Sequence, residues 1–418
     1  MANNNENKVL NVPNLRFPEF TGEWEEQRLD EIAELSKGVG ISKEQLSEDG
    51  EPCILYGELY TKYKSEIISE VFSKTNIEPS KLKRSKRNDV IIPCSGETAV
   101  EIAVARCVTF DNVLLGGDLN IIRLRKDNGA FMAYQLNGKR KIDIAKLAQG
   151  VSVVHLYGEN LKTVKTNNPC LQEQQKIVRL LSMIDERIAA QNKIIEDLKK
   201  LKSAITDNVF CNPAELAPKK RLGGFVKKWE LVQLSEICQR VRTKNSNSQC
   251  KLVLTIAAQF GLVNQEDFFN KSVASDSLDG YYLVQNGDFA YNKSYSGDYA
   301  WGTVKRLERY SEGVLSPLYI CFRPDTTRID SDFLAHYFES KKWYKGIADI
   351  AGEGARNHGL LNLSVIDYFK TLHRIPNLHE QKVIANVLNK LTSKISIEKK
   401  LYDDLLLQRQ FLLQQMFI

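Results

Sequence analysis

The chain has 418 residues, 43% hydrophobic and 26% charged, with a formal net charge of +6. That is the profile of an ordinary globular protein with room for two or three cored domains, and no run of apolar residues approaches the twenty that a membrane-spanning helix needs. The eight cysteines make no C-x-x-C pair and the histidines no H-E-x-x-H, which excludes the usual zinc frameworks and leaves reduced thiols in a cytoplasmic protein as the expectation.

In chain order, the start "MANNNENKVLNVPN" lacks the charged-then-apolar pattern of a secretory leader and is expected to be a short disordered lead-in. Prolines at Pro13 and Pro18 make the following stretch extended. A basic run, "KLKRSKR", places five cationic residues in seven positions from Lys81 to Arg87. Such a run neutralises phosphates when it meets nucleic acid and is otherwise a solvated face. Short β-branched or aromatic segments follow, "DVIIPC", "EIAVARCVTF" and "LNIIRLR", each bounded by Gly, Asn, Asp or Pro, and they predict strands of a mixed α and β module over 1–168.

At Asn168 the sequence turns to "NPCLQEQQKIVRLL", with apolar residues at helical spacing, and a long helix is predicted over 169–211. The whole plan then restarts. "FPEFTGEWEEQRLDEI" from Phe17 is echoed by "LGGFVKKWELVQLSEI" from Leu222, with Phe20, Trp24 and Leu29 falling on Phe225, Trp229 and Leu234. A second module is expected over 212–375. It has its own basic group, Arg240, Arg242 and Lys244, and the strand-like runs "DFAYNKSY" and "PLYICF". A second helix, beginning "IPNLHEQKVIANVL", is predicted over 376–418. Laying Pro169 on Pro376 matches Leu171 with Leu378, Glu173-Gln174 with Glu380-Gln381, and Phe210 with Phe417, without a gap.

Both helices carry a heptad seam. In the first it comprises Ile177, Leu181, Ile184, Ile188, Ile195 and Leu198; in the second, Ile384, Leu388, Leu391, Ile395, Leu405 and Leu412. About 38 residues at 1.5 Å rise span roughly 57 Å, longer than a module of this size is wide. The expected fold is therefore α+β: two mixed α/β modules joined by two long helices in an antiparallel coiled coil, an internal repeat imitating a dimer. Matched polar seam residues, Gln191 with Glu398 and Lys202 with Arg409, suggest devices that fix register.

No P-loop, G-x-S-x-G elbow or dinucleotide fingerprint is present; "GEGARNHG" has the wrong glycine spacing. Asp325, Glu339 and Lys341 have the spacing of a PD…ExK nuclease. Glu339 and Lys341 fall, however, on "SDFLAHYFESKKWY", which reads as a helix, where such nucleases place the ExK on a strand. The lead-in motif "FPEFTGEWEEQRLDEIAELSKG", the twin P-x-L-x-E-Q helix starts, the stretch "GDFAYNKSYSGDYAWG" and the endings "NVF" and "QMF" together resemble the specificity subunit of type I restriction–modification systems, over essentially the whole chain.

That resemblance implies a non-catalytic subunit with no cofactor of its own. Its two modules would each read half of a bipartite double-stranded DNA sequence. The helices would set the unread spacer and dock two adenine-methyltransferase subunits, with restriction and translocase subunits joining the assembly. S-adenosylmethionine, ATP and magnesium would belong to those partners. Candidate DNA-binding residues, chosen for what Arg, Lys, Asn and Ser do at phosphates and base edges, are Lys83, Arg84, Lys86, Arg87, Ser95 and Thr98 in the first module. In the second they are Arg240, Arg242, Lys244, Asn292, Lys293, Ser294, Tyr295 and Arg356. Glu97 and His358 lie beside these groups, and core packing is the competing role for Tyr291 and Tyr295. Two alternatives stay open: a DNA-binding scaffold of another defence or modification complex, and a nuclease acting through Asp325, Glu339 and Lys341.

Overall fold

The computed structural model describes residues 10–78, 80, 82–270, 277–294, 299–351, 356–357 and 360–418, the side chains of 356, 357 and 360 excepted. The chain divides into two compact units, residues 1–193 with 400–418 and residues 194–399.

In the first unit, β1 (Glu25–Arg28) leads through a single helical turn into β2 (Ala33–Lys37). The basic run forms part of β3 (Lys83–Arg84), followed by β4 (Val90–Pro93), β5 (Arg106–Val108), β6 (Leu119–Leu124), helix α1 (Gly129–Asn137) and β7 (Lys165–Asn168). The main sheet has the order β2-β6-β4-β5, with Ile67–Ile68 at its edge. The apolar runs of β4 and β6 are continuous rather than alternating because both faces are covered. Val90, Ile92 and Ile122 pack with α1 through Ala130, Met132, Ala133 and Leu136. Ile91 and Ile121 face Ile54, Leu59 and Leu115 on the other side. The second covering comes from a further sheet holding Glu51–Ile54, Leu114–Leu115 and β3.

β7 pairs antiparallel with β1, so the module's lead-in and exit strands are neighbours. It runs through Pro169 into α2 (Leu171–Val209), 39 residues long. The proline stands just outside the helix, where its missing N–H costs nothing.

The second unit repeats this frame. β8 (Glu230–Gln233) precedes β9 (Cys238–Arg240), then come β10 (Phe289–Asn292), β11 (Thr303–Arg306), β12 (Ile320–Pro324), α3 (Ser331–Glu339), β13 (Leu372–Ile375) and α4 (Leu378–Gln415), 38 residues long. β8 pairs with β13 as β1 does with β7, and the sheet order β9-β12-β10-β11 is that of the first unit. One ion pair is repeated as well. Asp89, buried just before β4, takes both arms of Arg123 at 2.8 and 2.7 Å. Asp288, just before β10, takes Arg323 at 2.6 and 2.9 Å. Each aspartate also accepts from a backbone N–H three residues back, Lys86 and Gln285. The likeness of "RNDVIIPCSG" to "NGDFAYNKSYSG" thus records a strand-start lock.

The long helices run antiparallel in both units, as the seam anticipated. In the first, Ile177, Leu181 and Ile184 from the start of α2 join Leu412, Leu413 and Met416 from the end of α4. In the second, Ile205 and Val209 from the end of α2 meet Ile384 and Leu388 from the start of α4. Ile195, Ile395 and Leu405 are buried, and Ile188, Leu198 and Leu391 are partly buried. The polar seam residues have distinct partners. Lys202 donates to Glu339 at 2.9 Å, whereas Arg409 meets Asp185 at 2.5 Å and also Glu66. Gln191 and Glu398 are buried, and Lys394 ion-pairs Glu398 one turn away.

Candidate nucleic-acid interface

The repeated Glu-Gln pair at each helix start is internal. Glu173 and Gln174 are each 1% exposed, and Glu380 and Gln381 are wholly buried. Glu173 accepts from Arg16 and from the indole of Trp24 at 3.3 Å; Glu380 accepts from Arg221 and from Trp229 at 3.2 Å. Gln174 donates to the Pro169 carbonyl at 2.9 Å and accepts from the backbone N–H of Asn128, the residue that caps α1. Gln381 does the same to Pro376 at 2.8 Å and to Asp330, the cap of α3. The motif that announces the repeat therefore ties the lead-in segment, long helix and module helix together.

The candidate residues of the first module fall at opposite ends of β4. Lys86 and Arg87 precede it and are exposed, while Ser95 and Thr98 follow it. A four-residue strand separates them by roughly 13 Å. Arg84 is already committed, gripping Glu51 at 2.6 and 3.1 Å and the Asn112 carbonyl at 3.0 Å. Lys83 sits beside it on the edge strand, half-buried. Arg87 donates through Nε to the Thr109 carbonyl at 3.0 Å. Thr98 caps a short helix by accepting from the Glu101 N–H at 3.3 Å, and neighbouring Glu97 is exposed. Ser95 is buried and donates to Asp118 at 3.3 Å. The other Asp118 oxygen meets Lys37 at 3.2 Å, and this hydrogen-bonded pair raises the Lys37 ammonium above its ordinary pKa. Sequence reasoning missed Lys37. Its only signal was a lysine closing a strand before the glycine of "SKG".

The second module gathers its candidates better. β9 and β10 are both antiparallel to β12 and so emerge at the same end of the sheet. Arg240, Arg242 and Lys244 leave from one, Asn292, Lys293 and Ser294 from the other. Arg240 donates to the Tyr282 hydroxyl at 3.2 Å. Lys244 lies 3.7 Å from the centre of the Tyr282 ring and donates to the Gly280 carbonyl at 2.6 Å. Arg242 is exposed. Asn292 accepts from the Ser294 N–H at 3.0 Å, turning the chain, and the Lys293 carbonyl accepts from Leu361 at 3.0 Å. Tyr291 is a core residue, stacked on Tyr368 at 4.7 Å and donating to the Trp301 carbonyl at 2.9 Å. Tyr295 and His358 lie outside the described residues, as does the side chain of Arg356, whose backbone pairs with Leu361.

Registering the two units strand by strand sets Lys37 on Arg242 and Ser95 on Ser294. One end of the same sheet carries a polar group in each unit, and the groups differ: lysine, serine and aspartate in the first, arginines, lysine, asparagine and serine in the second. Cations and amides there can hold phosphate and pair with base edges.

The nuclease alternative does not assemble. Asp325 accepts from the N–H and hydroxyl of Thr327, closing a turn after β12. Glu339 lies at the far end of α3, nine residues long, or roughly 13 Å by helical rise. Burial works to raise the Glu339 carboxyl, but hydrogen bonds and charge from His336 and Lys202 outweigh it and hold the pKa at about 2. Among the described residues no group of three or more His, Cys, Asp or Glu side chains is placed to hold a metal. No helix among them is long and apolar enough to cross a membrane.

Residues 21–200 match the family of type I restriction modification DNA specificity domains. Over 411 residues the chain is 24% identical to the type I restriction enzyme MjaVIII specificity subunit of Methanocaldococcus jannaschii, covering 92% of this chain and 89% of that protein. The fold is that of a type I restriction–modification S subunit from M. genitalium, with a TM-score of 0.60 and 17% identity over 97% and 99% of the two chains. It also matches a chain from a structural study of complex assembly and conformational transition of the type I restriction–modification system, with a TM-score of 0.53 and 15% identity over 94% and 97%.

Proposed function

We propose that this chain is a specificity subunit of the type I restriction–modification kind, which recognises DNA sequence without catalysing a reaction, and that it reads a bipartite target, one half with each unit. It directs two adenine-methyltransferase subunits, and restriction and translocase subunits, to that target in the cytoplasm. The domains that do so are 1–168 and 212–375, with 169–211 and 376–418 as the helices between and after them. The observation that carries the reading is the pair of equivalent sheet ends. A shared frame, locked by Asp89–Arg123 and Asp288–Arg323, presents Lys37 and Ser95 in one unit and Arg242, Asn292 and Ser294 in the other. An identical frame with unlike tips suits two unlike half-sites.

The test is a methylome. The chain is co-expressed with its neighbouring methyltransferase in a host lacking adenine methylation, and modified adenines are mapped by long-read sequencing. A two-part motif with a fixed unread gap, absent when the chain is omitted, is expected. A continuous motif, or methylation independent of this chain, would end the reading.

A further inference from the structure

We propose that the second unit carries a phosphate seat for the DNA backbone, formed by Lys199, Lys341 and Lys399. The proposal rests on the DNA-reading function above and adds to it a contact that grips without reading sequence.

Two adjoining hollows of about 570 and 460 Å³ lie in this unit and share Lys199, Gln259, Glu339 and Lys399. Lys341 and Lys202 line the first, and Lys305 lines the second. Five ammonium groups thus border a space with two carboxylates, Glu339 and Asp207. Glu339 is spent on Lys202 at 2.9 Å and on His336 at 3.4 Å, and the charge of Lys305 also acts on it. Lys199, Lys341 and Lys399 are exposed, and their side-chain ammonium groups make no hydrogen bond or ion pair among the described residues. Like charges gathered round a concave surface repel each other and focus the field into it. The arrangement is favourable when an anion enters. Lysine supplies a point charge without the guanidinium fork, which suits holding a phosphate rather than choosing a base.

The first unit closes the corresponding place. The internal repeat sets Arg409 on Lys202, Leu406 on Lys199, Asn192 on Lys399 and Arg106 on Lys305. Arg409 is consumed by Asp185 and Glu66. Arg106 is buried, donating to the carbonyls of Leu59 at 3.2 Å and Tyr63 at 3.0 Å. Lys139 falls on Lys341 and is exposed in its turn, but the other lysines have no free counterpart, so the gathering of free charges is a property of one unit, although the frame is common to both.

The experiment uses the chain assembled with its methyltransferase and measures binding to a duplex containing the mapped target and to an unrelated duplex, across a salt series. In the K199Q/K341Q/K399Q variant, log K against log [salt] should flatten by about one unit, since a phosphate contact contributes about 0.9. The flattening should be equal on both duplexes, with the methylated motif unchanged. K199R/K341R/K399R should restore the slope, which a loss of folding would not allow. An unchanged slope in the glutamine variant overturns the seat. Loss of the methyltransferase from the complex with DNA binding intact also overturns it, by making the cleft a protein contact. If the unsubstituted assembly binds neither duplex, the DNA-reading function itself fails and the seat falls with it.

Discussion

Arg16 grips Glu173 at two points, Nε to Oε1 at 2.7 Å and the second guanidinium arm to Oε2 at 2.8 Å, across 157 residues of chain. Arg221 and Glu380 repeat the pair across 159. The carboxylates are almost wholly buried, whereas the arginines keep 15% and 17% side-chain exposure. The cost of breaking the pair should therefore depend on which partner is removed. Arg16→Ala strands a buried carboxylate and should destabilise by about 3–5 kcal/mol. Glu173→Ala leaves a cation that can reach water and should cost less, about 1–3 kcal/mol. Urea unfolding of both variants and of the double substitution checks this. Equal single costs, or strict additivity, would contradict it.

Gln381 joins Pro376, Arg328 and the cap residue Asp330 in one side chain. Gln381→Met keeps the volume but leaves one buried backbone group, at Pro376, and two partly buried ones, at Arg328 and Asp330, without this partner, and should cost about 2–4 kcal/mol. Gln174→Met should behave alike. A loss below about 1 kcal/mol in either would mean that water replaces the amide.

Arg409 stands between Asp185 and Glu66. Burial already pushes the Asp185 carboxyl upward, and Arg409 holds that shift in check. Arg409→Met would leave two buried carboxylates facing each other and remove that check, so the Asp185 pKa would rise further above its unfolded value. The folded state then binds more protons than the unfolded one, so the variant should gain more stability than the unsubstituted chain as pH falls from 7 towards 5. Denaturation midpoints at those two pH values decide the sign.

His373 is buried between the Tyr337 hydroxyl at 3.1 Å and the Thr371 hydroxyl at 2.8 Å. Thr371 donates to the Tyr368 carbonyl, so it accepts from the ring, and the neutral imidazole satisfies both contacts. Burial lowers its pKa from 6.5 to about 4. The unfolded state therefore takes up the proton first, and stability should fall as pH drops from about 6.5 to 4, by of order 3 kcal/mol. His373→Gln should remove that part of the pH slope while costing stability at pH 7. A slope unaltered by the substitution would place the titration elsewhere.

Arg242→Ala and Lys37→Ala test the two sheet ends separately. Each should weaken binding about tenfold or more for duplexes altered in neither half, and each should relax discrimination at one half-site only. Arg84→Ala, by contrast, should leave DNA affinity unchanged, because Glu51 already occupies the guanidinium. Loss of both half-site preferences from a single substitution would contradict the assignment of one reader to each unit.

The sequence by itself determined the repeat, the two long helices and the α+β class. These rest on local regularities: heptad spacing from Ile177 to Leu198 and from Ile384 to Leu412, the P-x-L-x-E-Q starts, and strand runs bounded by turn residues. Periodicity is written into neighbouring positions and can be seen without a fold. The tertiary structure alone decided what the polar residues do. It turned Glu173-Gln174 and Glu380-Gln381 from a helix signature into buried ties, spent Arg84 on Glu51, divided Lys86 and Arg87 from Ser95 across β4, and brought Lys37 to Asp118. It also drew Lys199 and Lys399 from the two long helices and Lys341 from the bend after α3 to one cleft. A charged side chain acts according to the partner that reaches it, and here those partners come from dozens to hundreds of residues away. Hydrophobic pattern is local and legible; the pairing of charges is fixed only when the chain closes on itself.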